Sequence, residues 1–358
     1  MQMIRPYFGE AELEAVHRVL RSGQWAQGKE VSALEQEFSR GMNIPHAVAM
    51  NSGTASLWAA LHGIGIGPGM EVVVPAFSFA ASANCVLYVG ARPVFVDVEE
   101  STGNMDLTHL ERVLQDTPKV KAIVVVHLYG HPAPMSHIMD LARHYQLVVV
   151  EDCAQALGAS WEQQPVGTWG HAGCFSFYAT KQVACGEGGM TITRDKVLAH
   201  KLRRFINHGQ ARRYEHLTLG YNLRMSDIHA ALARVQLRRL PHFLSRRQDI
   251  AGHYHRFIAH REIKKPPWAE KHAWHLYTIQ SSKRSQLVQH LEASGIPSAI
   301  HYPIPLPGQP LYTGLGYQIS NYPMASQLAG EVLSLPLHPG LEHNDLRQVI
   351  QVVNSFSS

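Results

Sequence analysis

Cysteine is scarce in this chain of 358 residues, and its four cysteines show no pairing pattern. Cys85, Cys153, Cys174 and Cys185 form no C-x-x-C pair and have none of the spacings that are typical of a disulfide framework. Disulfides are rare in reducing compartments, so this pattern favours a cytoplasmic protein. The first ten residues also lack an apolar stretch of signal-peptide length, which agrees with that expectation.

Long apolar runs and a strong excess of one charge are missing as well. The longest aliphatic runs, such as residues 122–126, have the length of a β-strand, so we expect no membrane span. Lysine and arginine number 32 against 28 acidic residues, a net charge of +4, and form no basic cluster. The sequence therefore predicts no nucleic-acid partner, and its mild positive charge favours small anionic molecules.

What the chain does contain is a regular alternation of valine-rich strands and helices of about three turns. This alternation predicts an α/β fold whose large domain has a mainly parallel sheet flanked by helices. We expect the large domain to span residues 1–240, with an N-terminal helical segment, and a smaller α+β domain to span residues 241–358. The boundary is placed where a long helix from residue 226 is expected to end at Pro241. The predicted strands are residues 47–50, 71–74, 93–98, 121–126 and 147–150 in the large domain, and 274–280, 296–301 and 333–337 in the small one.

An acid and a lysine stand out in the second half of the large domain. The chain reads Val-Val-Val-Glu-Asp-Cys-Ala-Gln at residues 148–155, so Asp152 stands at the carboxyl end of a predicted buried strand. Lys181 closes Phe-Ser-Phe-Tyr-Ala-Thr-Lys and precedes Gly-Glu-Gly-Gly at residues 186–189. An acid that keeps a pyridine nitrogen protonated and a lysine that forms an imine with an aldehyde are what pyridoxal 5'-phosphate (PLP) requires. Lone lysines are usually surface residues and such aspartates are often helix caps, but the flanking motifs favour a PLP site.

A phosphate site is predicted where another strand meets a helix. Asn-Ser-Gly-Thr-Ala at residues 51–55 follows a strand and offers backbone N–H groups and hydroxyls around Gly53 and Thr54. The start of a helix favours anions, and a simple helix cap is compatible with that role.

Together these motifs closely resemble the DegT/DnrJ/EryC1/StrS family of PLP-dependent sugar aminotransferases, and the resemblance covers nearly the whole chain. It implies the aminotransferase fold type I, with Lys181 as the catalytic residue. It also implies that Asp152 pairs with the ring nitrogen of the cofactor and that Gln155 lies near the ring oxygen. The aromatic residue stacked on the ring would be Phe79, with Phe77 as the alternative.

The resemblance further implies a homodimer with active sites shared between subunits. Ser176 would contact the cofactor phosphate together with Gly53 and Thr54, and Asn222 would reach the same phosphate from the neighbouring subunit.

Substrate contacts implied by the resemblance are Trp25, Arg212, His301 and Tyr302, together with Lys181. The resemblance implies a reaction that transfers an amino group from glutamate or glutamine to a keto-sugar linked to a nucleotide. Gly-Glu-Gly-Gly resembles the C4-sugar branch of the family, which implies a keto group at C4, and an inosose-type cyclitol is the alternative substrate. The related dehydratases carry histidine in place of the lysine, which Lys181 argues against. A non-catalytic regulatory or sensory role is the alternative of another class.

A metal site is not expected. His127 and His131 have the i, i+4 spacing of metal ligands on a helix, but Pro132 and Pro134 break any common helix face.

Overall fold

A computed structural model describes residues 1–357, and its centre is a seven-stranded sheet with the strand order β1-β9-β8-β5-β4-β2-β3. All of its strands run parallel except β9, which lies antiparallel between β1 and β8. The predicted α/β class with a mainly parallel sheet is confirmed. The strands are β1 (His46–Met50), β2 (Glu71–Pro75), β3 (Arg92–Val96), β4 (Val120–Val126), β5 (Val148–Asp152), β6 (Ser160–Trp161), β7 (Gln164–Pro165), β8 (Ala172–Ser176), β9 (Gly189–Thr193), β10 (Gln210–Arg212), β11 (Glu215–His216), β12 (Tyr277–Gln280) and β13 (Val332–Leu335).

The helices alternate with the strands in the first half of the chain, as the valine-rich pattern predicts. Among residues 1–357, none of them is long and apolar enough to cross a membrane. They are α1 (Glu10–Ser22), α2 (Lys29–Met42), α3 (Gly53–Ile64), α4 (Ala81–Tyr88), α5 (Leu107–Asp116), α6 (Met135–His144), α7 (Lys196–Phe205), α8 (Asp227–Phe257), α9 (Arg284–Ala293), α10 (Pro310–Gly314), α11 (Pro323–Glu331) and α12 (His343–Asn354).

The sheet is the hydrophobic centre of the molecule because its strands are buried on both faces. In β4, Ala122, Ile123, Val124 and Val125 are all fully buried, and alternate residues belong to two different core clusters. Strands covered on both faces read as continuous apolar runs, which explains why these segments could be recognised in the sequence.

Helix α8 corrects the prediction that a helix ends at Pro241. It runs without interruption from Asp227 to Phe257 and contains Pro241 in its interior. The packing of α1 and α2 against α8 accounts for this, because tertiary contacts override the local cost of a proline. The domain boundary at residue 240 stays a prediction. A separate core cluster that draws only on residues from Ile250 to Phe356 supports a second domain beginning nearby.

Two predicted strands of the carboxyl-terminal part differ from the structure, one by being absent and one by being shorter. The segment 296–301 joins its neighbour only through an isolated bridge between Ala299 and Ser334, so the predicted strand there is wrong. Strand β12 begins at Tyr277 instead of residue 274, because Trp274 has a left-handed backbone conformation with φ of 44°. A residue with that φ cannot continue an extended strand.

Candidate active site

A cavity of about 480 Å³ opens beside the carboxyl ends of β1, β2, β5 and β8. In parallel sheets these ends meet at one edge, where ligands usually bind. The cavity brings together most of the residues that the sequence singles out. Its lining includes Gly53, Thr54, Phe79, Asp152, Gln155, Ser176, Lys181, His301 and Tyr302.

One side of the cavity is the start of α3, and it is suited to a phosphate. The Ser52 hydroxyl accepts a hydrogen bond of 3.1 Å from the Ala55 N–H and so caps the helix. A Cβ atom on Gly53 would lie 2.7 Å from the Ser176 Cβ, so only glycine allows β8 and α3 to approach this closely. The first N–H groups of a helix have no partner within it, and they point toward an anion placed at its start. Gly53, Thr54 and Ser176 therefore fit the phosphate group of PLP.

Asp152 is buried at the end of β5, and both of its carboxylate oxygens are occupied. The Ser82 hydroxyl donates a hydrogen bond of 2.7 Å to one oxygen, and the Ala154 N–H donates one of 3.1 Å to the other. Burial raises the pKa of Asp152 above its ordinary value, while these hydrogen bonds and the Lys181 charge oppose that rise. Such a carboxylate suits the protonated ring nitrogen of PLP. Ser82 had no distinguishing signal in the sequence and was missed.

Lys181 lies in the turn that follows β8, where its N–H donates to the Tyr178 carbonyl oxygen at 2.9 Å. Burial lowers the pKa of Lys181 to about 8, and the nearby Asp152 carboxylate limits the decrease. The amine is therefore easier to deprotonate than a surface lysine, which favours attack on an aldehyde.

Gln155 has contacts that the sequence did not predict. Its Oε1 accepts a hydrogen bond of 2.7 Å from the Tyr129 N–H, and its Nε2 donates one of 2.9 Å to the Tyr302 hydroxyl. The Tyr129 hydroxyl in turn donates to the His301 carbonyl oxygen. Gln155 thus connects β5 to the segment that carries His301 and Tyr302.

The two candidate aromatic residues differ in position. Phe79 lines the cavity and is 57% exposed, whereas Phe77 is fully buried in the core. The Phe79 ring lies 6.0 Å from the Tyr302 ring. The geometry thus supports Phe79 over Phe77 as the residue available to a flat ligand ring, and its stacking on the cofactor stays a prediction.

Three of the predicted residues lie outside the cavity of this chain. Trp25 is exposed and donates its Nε1–H to the Leu20 carbonyl oxygen, and Arg212 stands in the exposed strand β10. Asn222 is exposed in a segment whose backbone pairs with Asn207. Their expected roles as ligand contacts stay predictions. Such contacts would require a second subunit or a movement of these segments.

His127 also lies near two other possible metal ligands, Glu151 and Cys153, but the His127 and Glu151 atoms are already engaged. The His127 Nε2 is 3.2 Å from a Glu151 oxygen, and its Nδ1 accepts from the Ala133 N–H. The Glu151 carboxylate accepts further hydrogen bonds from the backbone N–H groups of residues 167, 169 and 170. With the His127 nitrogens and the Glu151 oxygens already paired, these residues are better explained as a buried hydrogen-bond network than as a metal site.

Comparison with known proteins places the chain in a family. Residues 6–354 match the model of the DegT/DnrJ/EryC1/StrS aminotransferase family. The chain is 40% identical over 345 residues to the UDP-N-acetyl-3-dehydro-alpha-D-glucosamine 3-aminotransferase of Acidithiobacillus ferrooxidans, covering 95% of this chain and 92% of that protein. It is 38% identical to the dTDP-3-amino-3,4,6-trideoxy-alpha-D-glucose transaminase of Streptomyces venezuelae, covering 96% of this chain and 91% of that protein.

A solved structure agrees with these relatives. The PLP form of the putative sugar aminotransferase Spr1654 from Streptococcus pneumoniae superposes with a TM-score of 0.94 at 31% identity, covering 99% of this chain and 98% of that chain. The fold and the cofactor predicted from the sequence are therefore confirmed. The chain belongs to the DegT/DnrJ/EryC1/StrS aminotransferase family and is a PLP-dependent transaminase.

Proposed function

We propose that this chain transfers an amino group from glutamate or glutamine to a keto-sugar that is linked to a nucleotide. One observation carries the proposal: a single cavity brings the Lys181 amine and the buried Asp152 carboxylate together beside the anion site at the start of α3. The names of the two similar proteins, a UDP-sugar aminotransferase and a dTDP-sugar transaminase, support a nucleotide-linked substrate.

The charged residues of the cavity have different tasks in this reaction. Bound PLP supplies an aldehyde that exchanges amino groups and a ring that withdraws electrons from the reacting carbon. Lys181 would hold the cofactor through its amine and, when that amine is free, would move a proton to and from the reacting carbon of the substrate. Asp152 would keep the ring nitrogen of the cofactor protonated, and the Ser82 hydroxyl keeps that carboxylate oriented.

The remaining residues hold the ligands in place. Gly53, Thr54 and Ser176 would hold the cofactor phosphate, and Phe79 would lie against its ring. His301 and Tyr302 line the same cavity and offer hydrogen-bonding groups to the sugar. The link from Tyr302 to Gln155 fixes this part of the wall relative to β5.

The position of the keto group on the sugar can be C4 or C3. Gly-Glu-Gly-Gly at residues 186–189 favours C4, but the names of both similar proteins specify position 3. We therefore propose C3 ahead of C4. A direct comparison of 3-keto and 4-keto sugars on the same nucleotide distinguishes them, because only the accepted isomer returns the aminated cofactor to its original absorbance.

The active site is proposed to be completed by a second copy of the chain. Asn222 is exposed and lies outside the cavity of its own subunit, as a residue that serves a neighbouring site would. Arg212, in the exposed strand β10, is proposed to act on the substrate in the same manner.

A two-step assay tests the proposed function. The purified enzyme is first converted to its aminated form with L-glutamate or L-glutamine, freed of donor, and then mixed with UDP- and dTDP-linked keto-sugars and with inososes. Return of the original visible absorbance with a nucleotide-linked keto-sugar supports the proposal. Return with an inosose alone would show a cyclitol aminotransferase, and no first step with any amino acid would favour a regulatory role. Lys181→Ala is the control and should complete neither step.

A further inference from the structure

His275 lies in the wall of the active-site cavity, although it comes from the carboxyl-terminal part of the chain. Only 4% of its surface is exposed, and its Nδ1 has no hydrogen-bond partner. The Nδ1 atom has almost no accessible surface. Within the described residues no hydrogen bond engages Nε2, so Nε2 is the ring nitrogen that is free to meet a ligand in this wall.

The backbone of His275 is held from two sides. Its N–H donates a hydrogen bond of 2.9 Å to the Tyr129 carbonyl oxygen. Its own carbonyl oxygen accepts one of 3.1 Å from Arg247 Nη1, which also donates to the carbonyl oxygens of Trp274 and Leu337. A Cβ atom on Gly130 would lie 3.0 Å from the His275 nitrogen, so the two segments are in close contact. This attachment fixes where the imidazole enters the cavity.

The surroundings of His275 are positively charged. Arg247 is buried, and within residues 1–357 it forms no ion pair; its hydrogen bonds go to backbone carbonyls, and its Nε has no partner. Burial, assisted by the nearby Lys181, Arg247, His301 and His272, lowers the pKa of His275 well below its ordinary value. The imidazole is therefore neutral and can donate one N–H. A buried positive charge without a protein carboxylate to balance it favours an anionic ligand group.

The two substrates use the cavity in turn, and they differ in how they can reach His275. A nucleotide-linked sugar must leave its nucleotide toward solvent, on the side where Phe79 and Tyr178 are exposed. An amino acid carries its α-carboxylate on the reacting carbon itself, so this carboxylate must enter the inner part of the cavity with the amino group.

We propose that His275 donates a hydrogen bond to the α-carboxylate of the amino-acid donor, and that Arg247 is the positioning residue that holds His275 there. This role rests on the proposed use of an amino-acid donor. It assigns to His275 recognition of the first substrate and not of the sugar.

His275→Leu and His275→Gln test the proposal in the holoenzyme, with the two half-reactions measured separately in single turnovers. A hydrogen bond to a charged group is lost in His275→Leu, so the apparent dissociation constant of L-glutamate or L-glutamine should rise about 10- to 100-fold. His275→Gln retains an N–H donor and should lose less affinity for the amino-acid donor. The half-reaction of the aminated enzyme with its keto-sugar should change by less than about threefold in both variants, because the sugar makes no use of this hydrogen bond.

A binding measurement separates recognition from chemistry. α-Methyl-L-glutamate lacks the α-hydrogen and cannot be transaminated, so its dissociation constant, measured by calorimetry, reports binding alone. Binding of α-methyl-L-glutamate should weaken in His275→Leu by the same factor as binding of the amino-acid donor.

His338→Leu is the matched control. His338 is also a buried histidine with an unpaired Nδ1, but it does not line the cavity, so donor binding should be unchanged. Arg247→Lys should weaken donor binding while leaving the cofactor content of the enzyme intact.

Three results would overturn the role of His275. They are an unchanged dissociation constant of the amino-acid donor in His275→Leu, an equal loss of rate in both half-reactions, or an equal loss of donor affinity in His275→Leu and His338→Leu. A wild-type enzyme that reacts with no amino acid would instead contradict the proposed function and remove the basis of this role with it.

Discussion

At the scale of single residues, the site depends on pairs that the chain brings together over long distances in sequence. Ser82 and Asp152 are 70 positions apart, and Gln155 and Tyr302 are 147 apart, yet both pairs are hydrogen-bonded. In each pair, the sequence identified at least one member by its motif. The partner that holds Asp152 in place became visible only in the structure, because a serine in the first turn of a helix has no distinguishing pattern.

Removing the Ser82 hydroxyl should weaken the cofactor site. Loss of a hydrogen bond to a charged group costs about 1.5–3 kcal/mol, so Ser82→Ala should raise the dissociation constant of PLP by about tenfold or more. The same loss raises the pKa of Asp152 further, which should move the acid side of the pH–rate profile to higher pH. Fluorescence titration of the apoenzyme measures the first effect. Ser326→Ala, which removes a hydroxyl bonded to the Tyr322 carbonyl oxygen at the start of α11, is the control, and equal affinities of the two variants would contradict the prediction.

The pH dependence of cofactor loading should report the pKa of Lys181. The protonated amine cannot attack the aldehyde, and burial lowers this pKa to about 8 from 10.5. The loading rate of apoenzyme should therefore rise about tenfold per pH unit below pH 8 and level off above it. Stopped-flow absorbance measures the rate. The Asp152 charge raises the pKa of Lys181, so Asp152→Asn should move the midpoint to lower pH. A midpoint near 10.5 in the wild type would show that the amine is not buried.

At the scale of secondary-structure elements, the ends of the strands contribute more to the active site than their interiors do. The valine-rich interiors of β4 and β5 form the core, while the residues just after β1, β2, β5 and β8 form the cavity. The close approach of α3 to the end of β8 is needed to place Gly53, Thr54 and Ser176 around one phosphate. Gly53 permits this close approach because it has no Cβ atom.

Gly53→Ala should therefore damage the cofactor site without preventing folding. The added Cβ would lie 2.7 Å from the Ser176 Cβ, and relief of such crowding typically costs about 1–3 kcal/mol. We expect PLP affinity to fall about tenfold or more, as measured by equilibrium titration. Gly41→Ala in α2 is the control, because a Cβ there meets no atom within 4 Å. That change should leave PLP affinity unaltered and stabilise the protein by about 0.5–1 kcal/mol. Unaltered affinity in Gly53→Ala would show that α3 can shift freely.

At the scale of the whole molecule, the proposed sharing of active sites makes activity a property of the dimer. Asn222 lies outside the cavity of its own chain, whereas Lys181 lines it. Each complete site would then need Lys181 from one subunit and Asn222 from the other. Two defective chains should be able to form one intact site between them.

Mixing Lys181→Ala and Asn222→Ala subunits tests this arrangement. Random reassociation of equal amounts gives half mixed dimers, each with one intact site, so about a quarter of wild-type activity should return. Each variant alone should remain impaired, and light scattering gives the oligomeric state. Mixed samples with no more activity than the average of the separate variants would contradict shared sites.

The sequence by itself determined the class of fold, the cofactor and the type of reaction. It could do so because buried parallel strands leave a continuous apolar pattern, and because Asp152 and Lys181 lie within short, specific motifs. The tertiary structure decided which residues meet: Ser82 with Asp152, Tyr302 with Gln155, and Phe79 instead of Phe77 with the cavity. In the structure, α8 also continues through Pro241, and His275 lies in the wall of the active-site cavity. These outcomes depend on strand order and on packing between distant segments, and no local pattern of residues specifies either.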